Sequence, residues 1–255
     1  MKTINTFLNE PNKFLIIAGP CALESEDQMR YILNETGNTN VFRAGIFKMR
    51  TNPNSFQGLG VKGQQIIKDL KKEFDFEFVT EITDPRQIEM LDEVVDMYQI
   101  GSRNMYNYDL LKELNSLNKP VLLKRAFSAT VNEWLNAAEY MPQLGEEKII
   151  LCERGIRTFE TSTRNTLDLN SVIYLKQTTN FKVLVDPSHA SGIKSMIEPL
   201  SLAAIACGAD GLLVETHPNP SEALSDKEQQ INCTDFRELK NKLSLYSKIA
   251  NKEII

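Results

Sequence analysis

Apolar residues along this chain gather in eight short runs, each followed by a polar stretch and then by apolar positions at helical spacing. A run without alternation reads as a strand buried on both faces, and recurrence at i, i+3 and i+4 reads as a helix with one inward face. Strands are expected over 13–20, from Val41, over 76–80, 97–101, 120–124 and 148–152, from Lys182 to Asp186, and over 212–215. Helices are expected between Ser25 and a stop at Gly37, then over 63–74, 85–94, 108–117, 131–141, 165–176, 199–207 and 235–250. The polar stretch 48–58 reads as a long loop.

Strands alternating with helices imply a parallel sheet. Eight such units in 255 residues match the size of a closed (β/α)₈ barrel. A doubly wound open sheet usually has fewer strands, and no G-x-G-x-x-G follows the first one. The expected fold class is therefore α/β, a (β/α)₈ TIM barrel of one domain over 13–255, preceded by a short N-terminal extension, 1–12.

Composition narrows the partners. Net charge is −5, which disfavours a nucleic acid, and no apolar run approaches the 18 residues of a membrane span. Cys21, Cys152, Cys207 and Cys233 have no paired spacing, and 1–12 has no apolar signal core, so a cytoplasmic, reducing location is expected.

The chemistry collects just after the apolar runs. Cations stand there in number: Arg43, Lys48 and Arg50, then Arg103, Lys124 with Arg125, and Arg154, with acidic Glu81 and Glu153 among them. In barrels of this kind the C-terminal strand ends converge on the active site. So many cations in one place require anionic partners, and Arg suits both carboxylate and phosphate. Sugar phosphates and phosphoenol acids are the ligand class implied. A second constellation joins Cys21, His189, Glu215 and Asp226. Mixed thiolate, imidazole and carboxylate ligands suit one divalent ion, Mn²⁺, Fe²⁺, Co²⁺ or Zn²⁺. Only two histidines exist in the chain, and His217 competes with His189 as a ligand on residue type alone.

The motifs in sequence order resemble a known family. They are Ala18-Gly-Pro-Cys21, Phe47-Lys-Met-Arg-Thr51 with Ser55-Phe-Gln-Gly-Leu-Gly60, Ile100-Gly-Ser-Arg-Asn-Met105 and Leu122-Leu-Lys-Arg125. They continue through Cys152-Glu-Arg-Gly-Ile-Arg-Thr-Phe-Glu160, Asp186-Pro-Ser-His-Ala190, and Glu215 with Ala223-Leu-Ser-Asp226. The chain resembles the 3-deoxy-D-arabino-heptulosonate 7-phosphate (DAHP) synthases, type I-beta, in a short form without a regulatory domain. Met49 stands where that family usually has proline, and Ser102 where it has alanine.

The resemblance implies condensation of phosphoenolpyruvate with erythrose 4-phosphate, the first step of the shikimate pathway. It implies metal ligation by Cys21, His189, Glu215 and Asp226, which leaves His217 outside. It implies phosphoenolpyruvate binding by Arg43, Lys48, Arg103, Lys124 and Arg154, and aldose phosphate binding by Arg50 and Thr51. Lys124 is the candidate for proton transfer, with Cys21 and His189 counted in the catalytic group through the metal. A homodimer or homotetramer is expected, as is insensitivity to aromatic amino acids. The neighbouring alternative is 3-deoxy-D-manno-octulosonate 8-phosphate synthase, which would use arabinose 5-phosphate. A Schiff-base aldolase acting through Lys124 is the alternative from a different chemical class.

Overall fold

The computed structural model describes residues 2–50 and 52–255. The eight apolar runs form parallel strands: β1 Lys13–Gly19, β2 Val41–Arg43, β3 Glu77–Ile82, β4 Met97–Ile100, β5 Val121–Lys124, β6 Ile149–Glu153, β7 Lys182–Val185 and β8 Gly211–Glu215. Each pairs with the next, and β1 pairs with both β8 and β2, so the sheet closes on itself. The fold is the expected (β/α)₈ barrel in a single domain. A two-residue strand, Glu253–Ile254, runs parallel to the start of β1.

Alternation along each strand sorts the core in two. Leu15, Ile17, Val41, Val79, Met97, Leu122, Ile150, Leu184 and Leu213 fill the barrel interior. Their sequence neighbours, among them Ile16, Phe42, Phe78 and Leu123, face the surrounding helices. Trp134 is fully buried in that outer layer, and its indole N–H donates to the Leu123 carbonyl at 3.1 Å. Caps start the helices where the sequence supplies them. Ser25 accepts from the Gln28 N–H ahead of Glu26–Glu35, and Thr130 forms a capping box with Glu133 ahead of Val131–Ala138.

Residues 3–9 of the N-terminal extension are helical, Thr3–Asn9, and Ile4 and Phe7 join the interior cluster of the barrel. This helix stoppers the N-terminal mouth, opposite the end where the cations gather, and the Glu77 carboxylate accepts the Ile4 N–H at 2.9 Å. Phe7 has no exposed surface. Phe7→Ala is expected to cost about 3–5 kcal/mol in urea unfolding, the usual penalty for emptying a buried phenylalanine site. Substrate KM should stay unchanged, because the loss falls at the far mouth.

Several helices depart from the expected pattern, and an unforeseen four-residue one, Gly145–Lys148, precedes β6. The helix expected over 85–94 is a 3₁₀ turn, Pro85–Gln87, and one α-turn, Ile88–Leu91. Acidic Asp92 and Glu93 would oppose the dipole at a longer helix's C-terminus, and Asp92 turns instead to Lys119 at 2.7 Å and to Tyr98. The helix expected over 165–176 runs Leu169–Thr178, since Asp168 caps it by accepting the Ser171 N–H. An unforeseen short helix, Pro187–Ser191, follows β7. Pro187 ends the strand, as its missing N–H requires, but it also occupies the first helical turn, where proline is favoured. Among the described residues, no helix is long and apolar enough to cross a membrane.

Candidate active site

The short helix after β7 delivers His189, and one carboxylate sets its geometry. Asp186 Oδ1 accepts the His189 backbone N–H at 2.9 Å, while Oδ2 takes the ring at Nδ1, 2.7 Å away. The same Oδ2 accepts from Lys124 Nζ at 2.5 Å. With Nδ1 held by a carboxylate, the Nε2 lone pair faces the barrel axis, the arrangement seen in metal-binding histidines. Burial lowers the His189 pKa despite Asp186 and Glu215 beside it, which favours the neutral ligand form.

Nε2 points at a compact donor set. One ligand atom each from Cys21, His189, Glu215 and Asp226 lies within 4.8 Å of all the others. His189 Nε2 is 3.3 Å from Glu215 Oε1, and Cys21 Sγ is 3.1 Å from Asp226 Oδ2. Glu215 comes from the end of β8, Cys21 from the turn after β1, and Asp226 from a loop where its own φ is +50°. One buried and one half-buried carboxylate, an imidazole and a thiol in such proximity fit a divalent cation. Burial and Glu215 push the Cys21 thiol up to about 12, against the pull of Lys48. Metal uptake should therefore release a proton and tighten as pH rises, which a metal titration at two pH values would read.

Beside this cluster lies a basin lined by cations. Arg43, Lys48, Arg50, Arg103, Lys124 and Arg154 all reach it, each from the segment where the sequence placed it. Arg43 is buried and bridges to Glu215 at 2.6 Å, and Lys48 Nζ stands 3.2 Å from Cys21 Sγ. The ring of Phe127 supports Arg154 at 4.7 Å and Arg103 at 5.6 Å from its centroid, and π-face attraction offsets part of the crowding. Burial pushes Arg154 down to about 10, with Asp186 opposing, so it still carries its charge at neutral pH. Thr51 lies outside the described residues.

Two residues grouped with the rim cations and acids belong elsewhere. Arg125 and Glu153 point away from the axis and pair with each other at 2.9 Å, and Asp168, Ser171 and the Ala129 carbonyl also accept from the guanidinium. They lock β5 and β6 to the helix after β6. Arg125→Ala would leave Glu153 buried and unpaired, a loss of about 3–5 kcal/mol. Burial already raises the Glu153 pKa. A carboxyl with a raised folded-state pKa destabilises when ionised, so the deficit should be largest at neutral pH and shrink on acidification. Urea unfolding of the variant at two pH values checks both statements.

The structure adds residues that sequence reading missed. Phe127, Gln99 and Arg164 line the basin. Gln99 is almost fully buried on β4, and its Oε1 has no hydrogen-bond partner among the described residues. Its inward alternation with Met97 was a usable signal, whereas Arg164 comes from an irregular loop and had none. His217 does not join the four ligands; its Nε2 lies 3.3 Å from Glu24.

Comparison with known proteins identifies the family. Residues 5–252 match the model of the DAHP synthetase I family. The phospho-2-dehydro-3-deoxyheptonate aldolase of Thermotoga maritima is 46% identical over 229 residues, 89% of this chain and 68% of that one. A 2-dehydro-3-deoxyphosphooctonate aldolase of Francisella tularensis is 31% identical over 246 residues, covering 89% and 88% of the two chains. A crystal structure of the Thermotoga maritima DAHP synthase superposes with a TM-score of 0.90 at 43% identity, covering 96% of this chain and 72% of that one. A truncated form of the Thermotoga enzyme gives 0.86 at 40% identity, covering 96% and 90%. With the matched span taking in every strand of the barrel and all four clustered ligands, this chain is a member of the DAHP synthetase I family.

Proposed function

We propose that this chain condenses phosphoenolpyruvate with erythrose 4-phosphate and water to give DAHP and inorganic phosphate. The observation that carries this reading is the contact between the four-ligand cluster and the cationic basin, with Asp226, His189 and Arg43 lining or bordering both. The cluster suits Mn²⁺, Fe²⁺, Co²⁺ or Zn²⁺, and Cys21, His189, Glu215 and Asp226 would hold the ion. Such an ion supplies Lewis acidity to the aldehyde oxygen of the sugar.

The protein's own groups do the rest. Arg43, Lys48, Arg103, Lys124 and Arg154 would take the phosphate and carboxylate of phosphoenolpyruvate, leaving its C3 free to attack. Arg50, with Thr51, would hold the aldose phosphate. Bringing two anions into attack distance requires this density of positive charge, and fixed orientation removes much of the entropic barrier. Lys124 Nζ, held by Asp186, would deliver the proton that the alkoxide developing on the former aldehyde oxygen takes up. Water adds at C2, and the resulting hemiketal phosphate expels inorganic phosphate.

Residues 13–255 serve as the catalytic barrel in this reading, with 1–12 as its cover. We further propose a cytoplasmic enzyme that assembles as a homodimer or homotetramer. The competing reading, octulosonate phosphate synthesis, has the support of the Francisella relative. One phosphate-release assay separates the two: turnover is expected with erythrose 4-phosphate and at least tenfold less kcat/KM with arabinose 5-phosphate. The reverse preference would overturn the assignment. Dialysis against EDTA should abolish release and added Mn²⁺ should restore it. Activity that survives chelation, with substrate trapped on Lys124 by borohydride, would point to the Schiff-base alternative.

A further inference from the structure

Three of the four clustered ligands depend on two consecutive glutamines that lie outside the donor set. Gln229 and Gln230 are 2% and 1% exposed, and both amides are used at both ends. Gln229 Nε2 donates to Glu215 Oε2 at 2.6 Å, while its Oε1 accepts from Arg164 at 2.7 Å. Arg164 in turn reaches Asp226 Oδ1 at 3.4 Å. Gln230 Oε1 accepts the Cys21 backbone N–H at 3.1 Å, and its Nε2 donates to the Ser225 carbonyl at 2.8 Å, one residue before Asp226. Neither amide can be reversed: carboxylate and carbonyl oxygens only accept, while guanidinium and backbone N–H only donate.

The loop that carries Asp226 needs such support. Asp226 sits at φ +50°, a conformation that costs a non-glycine residue energy and persists only where the surroundings impose it. Glu24 supplies a further restraint at the loop's far side, accepting the Leu224 N–H at 2.8 Å.

We propose that Gln229 and Gln230 are the positioning residues of the metal site. Gln229 occupies Glu215 Oε2, which leaves Oε1, the oxygen that faces His189 and also accepts from Arg43 at 2.6 Å, as the ligand atom of that carboxylate. Gln230 ties the strand end bearing Cys21 to the strained loop bearing Asp226, which sets the distance between thiolate and carboxylate before any ion arrives. This inference rests on the metal assignment made above and adds to it what fixes the ligand geometry.

The test is metal binding itself, with Co²⁺ as the probe on the full chain of wild type, Gln229→Leu and Gln230→Leu. Wild type is expected to show a thiolate-to-cobalt absorption band on titration. The two variants should bind Co²⁺ about 10–100-fold more weakly, the usual cost of losing a partner that orients a ligand. Gln229→Leu should also shift the band positions, because a freed Glu215 can engage through both oxygens, and Gln229→Asn should not recover them, since its amide stops short of both partners. At saturating Co²⁺ the KM for phosphoenolpyruvate should stay within about twofold of wild type, which separates positioning from damage to the basin. Equal Co²⁺ affinity and unshifted bands in folded variants would overturn this inference while leaving the metal assignment intact. No cobalt band in wild type would instead remove the metal assignment on which it stands.

Discussion

Cys21→Ala is expected to lose turnover by about 10³-fold or more while the protein stays folded. The thiolate supplies one of four donors, and the two carboxylates and the imidazole that remain would hold an ion more weakly and less rigidly. Lewis-acid stabilisation of a developing alkoxide contributes several kcal/mol, and about 1.4 kcal/mol corresponds to each factor of ten in rate. The side chain is small and fully buried, so alanine removes little packing. Phosphoenolpyruvate affinity should survive, because Arg103, Lys124 and Arg154 are untouched. Metal content by elemental analysis, calorimetry with phosphoenolpyruvate, and phosphate release would together read the three parts. Retained metal with retained turnover would remove Cys21 from the ligand set.

The second large effect is expected at Lys124. Its ammonium lies on the Asp186 carboxylate that also orients His189, so one acid links the proposed proton donor to the proposed metal ligand. Lys124→Met keeps the length of the stem and removes the charge and the proton. General acid–base catalysis contributes about 10²–10⁴-fold, and kcat should fall within that range. Metal affinity should change little, because Asp186 keeps its hold on His189 Nδ1. Single-turnover phosphate release at saturating substrate isolates the chemical step. Near-normal turnover with only weakened phosphoenolpyruvate binding would mean that the proton comes from elsewhere.

Much of this was readable from the residues, and the reason is the architecture. A parallel barrel buries its strands on both faces, so apolar runs mark them plainly, and the C-terminal ends carry the chemistry. Cys21, His189, Glu215 and the basin cations therefore stood out by position, with the family motifs supporting Asp226 from a loop that no periodicity marks. Arg125 and Glu153 were grouped with the rim for want of one further step. Lys124 faces the axis, so its neighbour Arg125 must face outward, and Arg154 and Glu153 divide the same way. That alternation was present in the sequence. The helix at Pro187–Ser191 was hidden by reading Asp186-Pro187 as a strand stop alone, when the same pair is a cap followed by a first-turn proline. Arg164, Gln229 and Gln230 act through irregular loops that meet only in three dimensions, and no local pattern could have paired them with Asp226 or Glu215.

The site as a whole turns on where a cation settles. Anomalous diffraction from a crystal equilibrated with Zn²⁺ and phosphoenolpyruvate would locate it directly. One strong peak is expected about 2.0–2.3 Å from Cys21 Sγ, His189 Nε2, and an oxygen each of Glu215 and Asp226, with phosphoenolpyruvate in the adjoining basin against Arg154. A crystal of active enzyme with no peak among those four atoms, or with phosphoenolpyruvate bound away from the cations, would contradict the account.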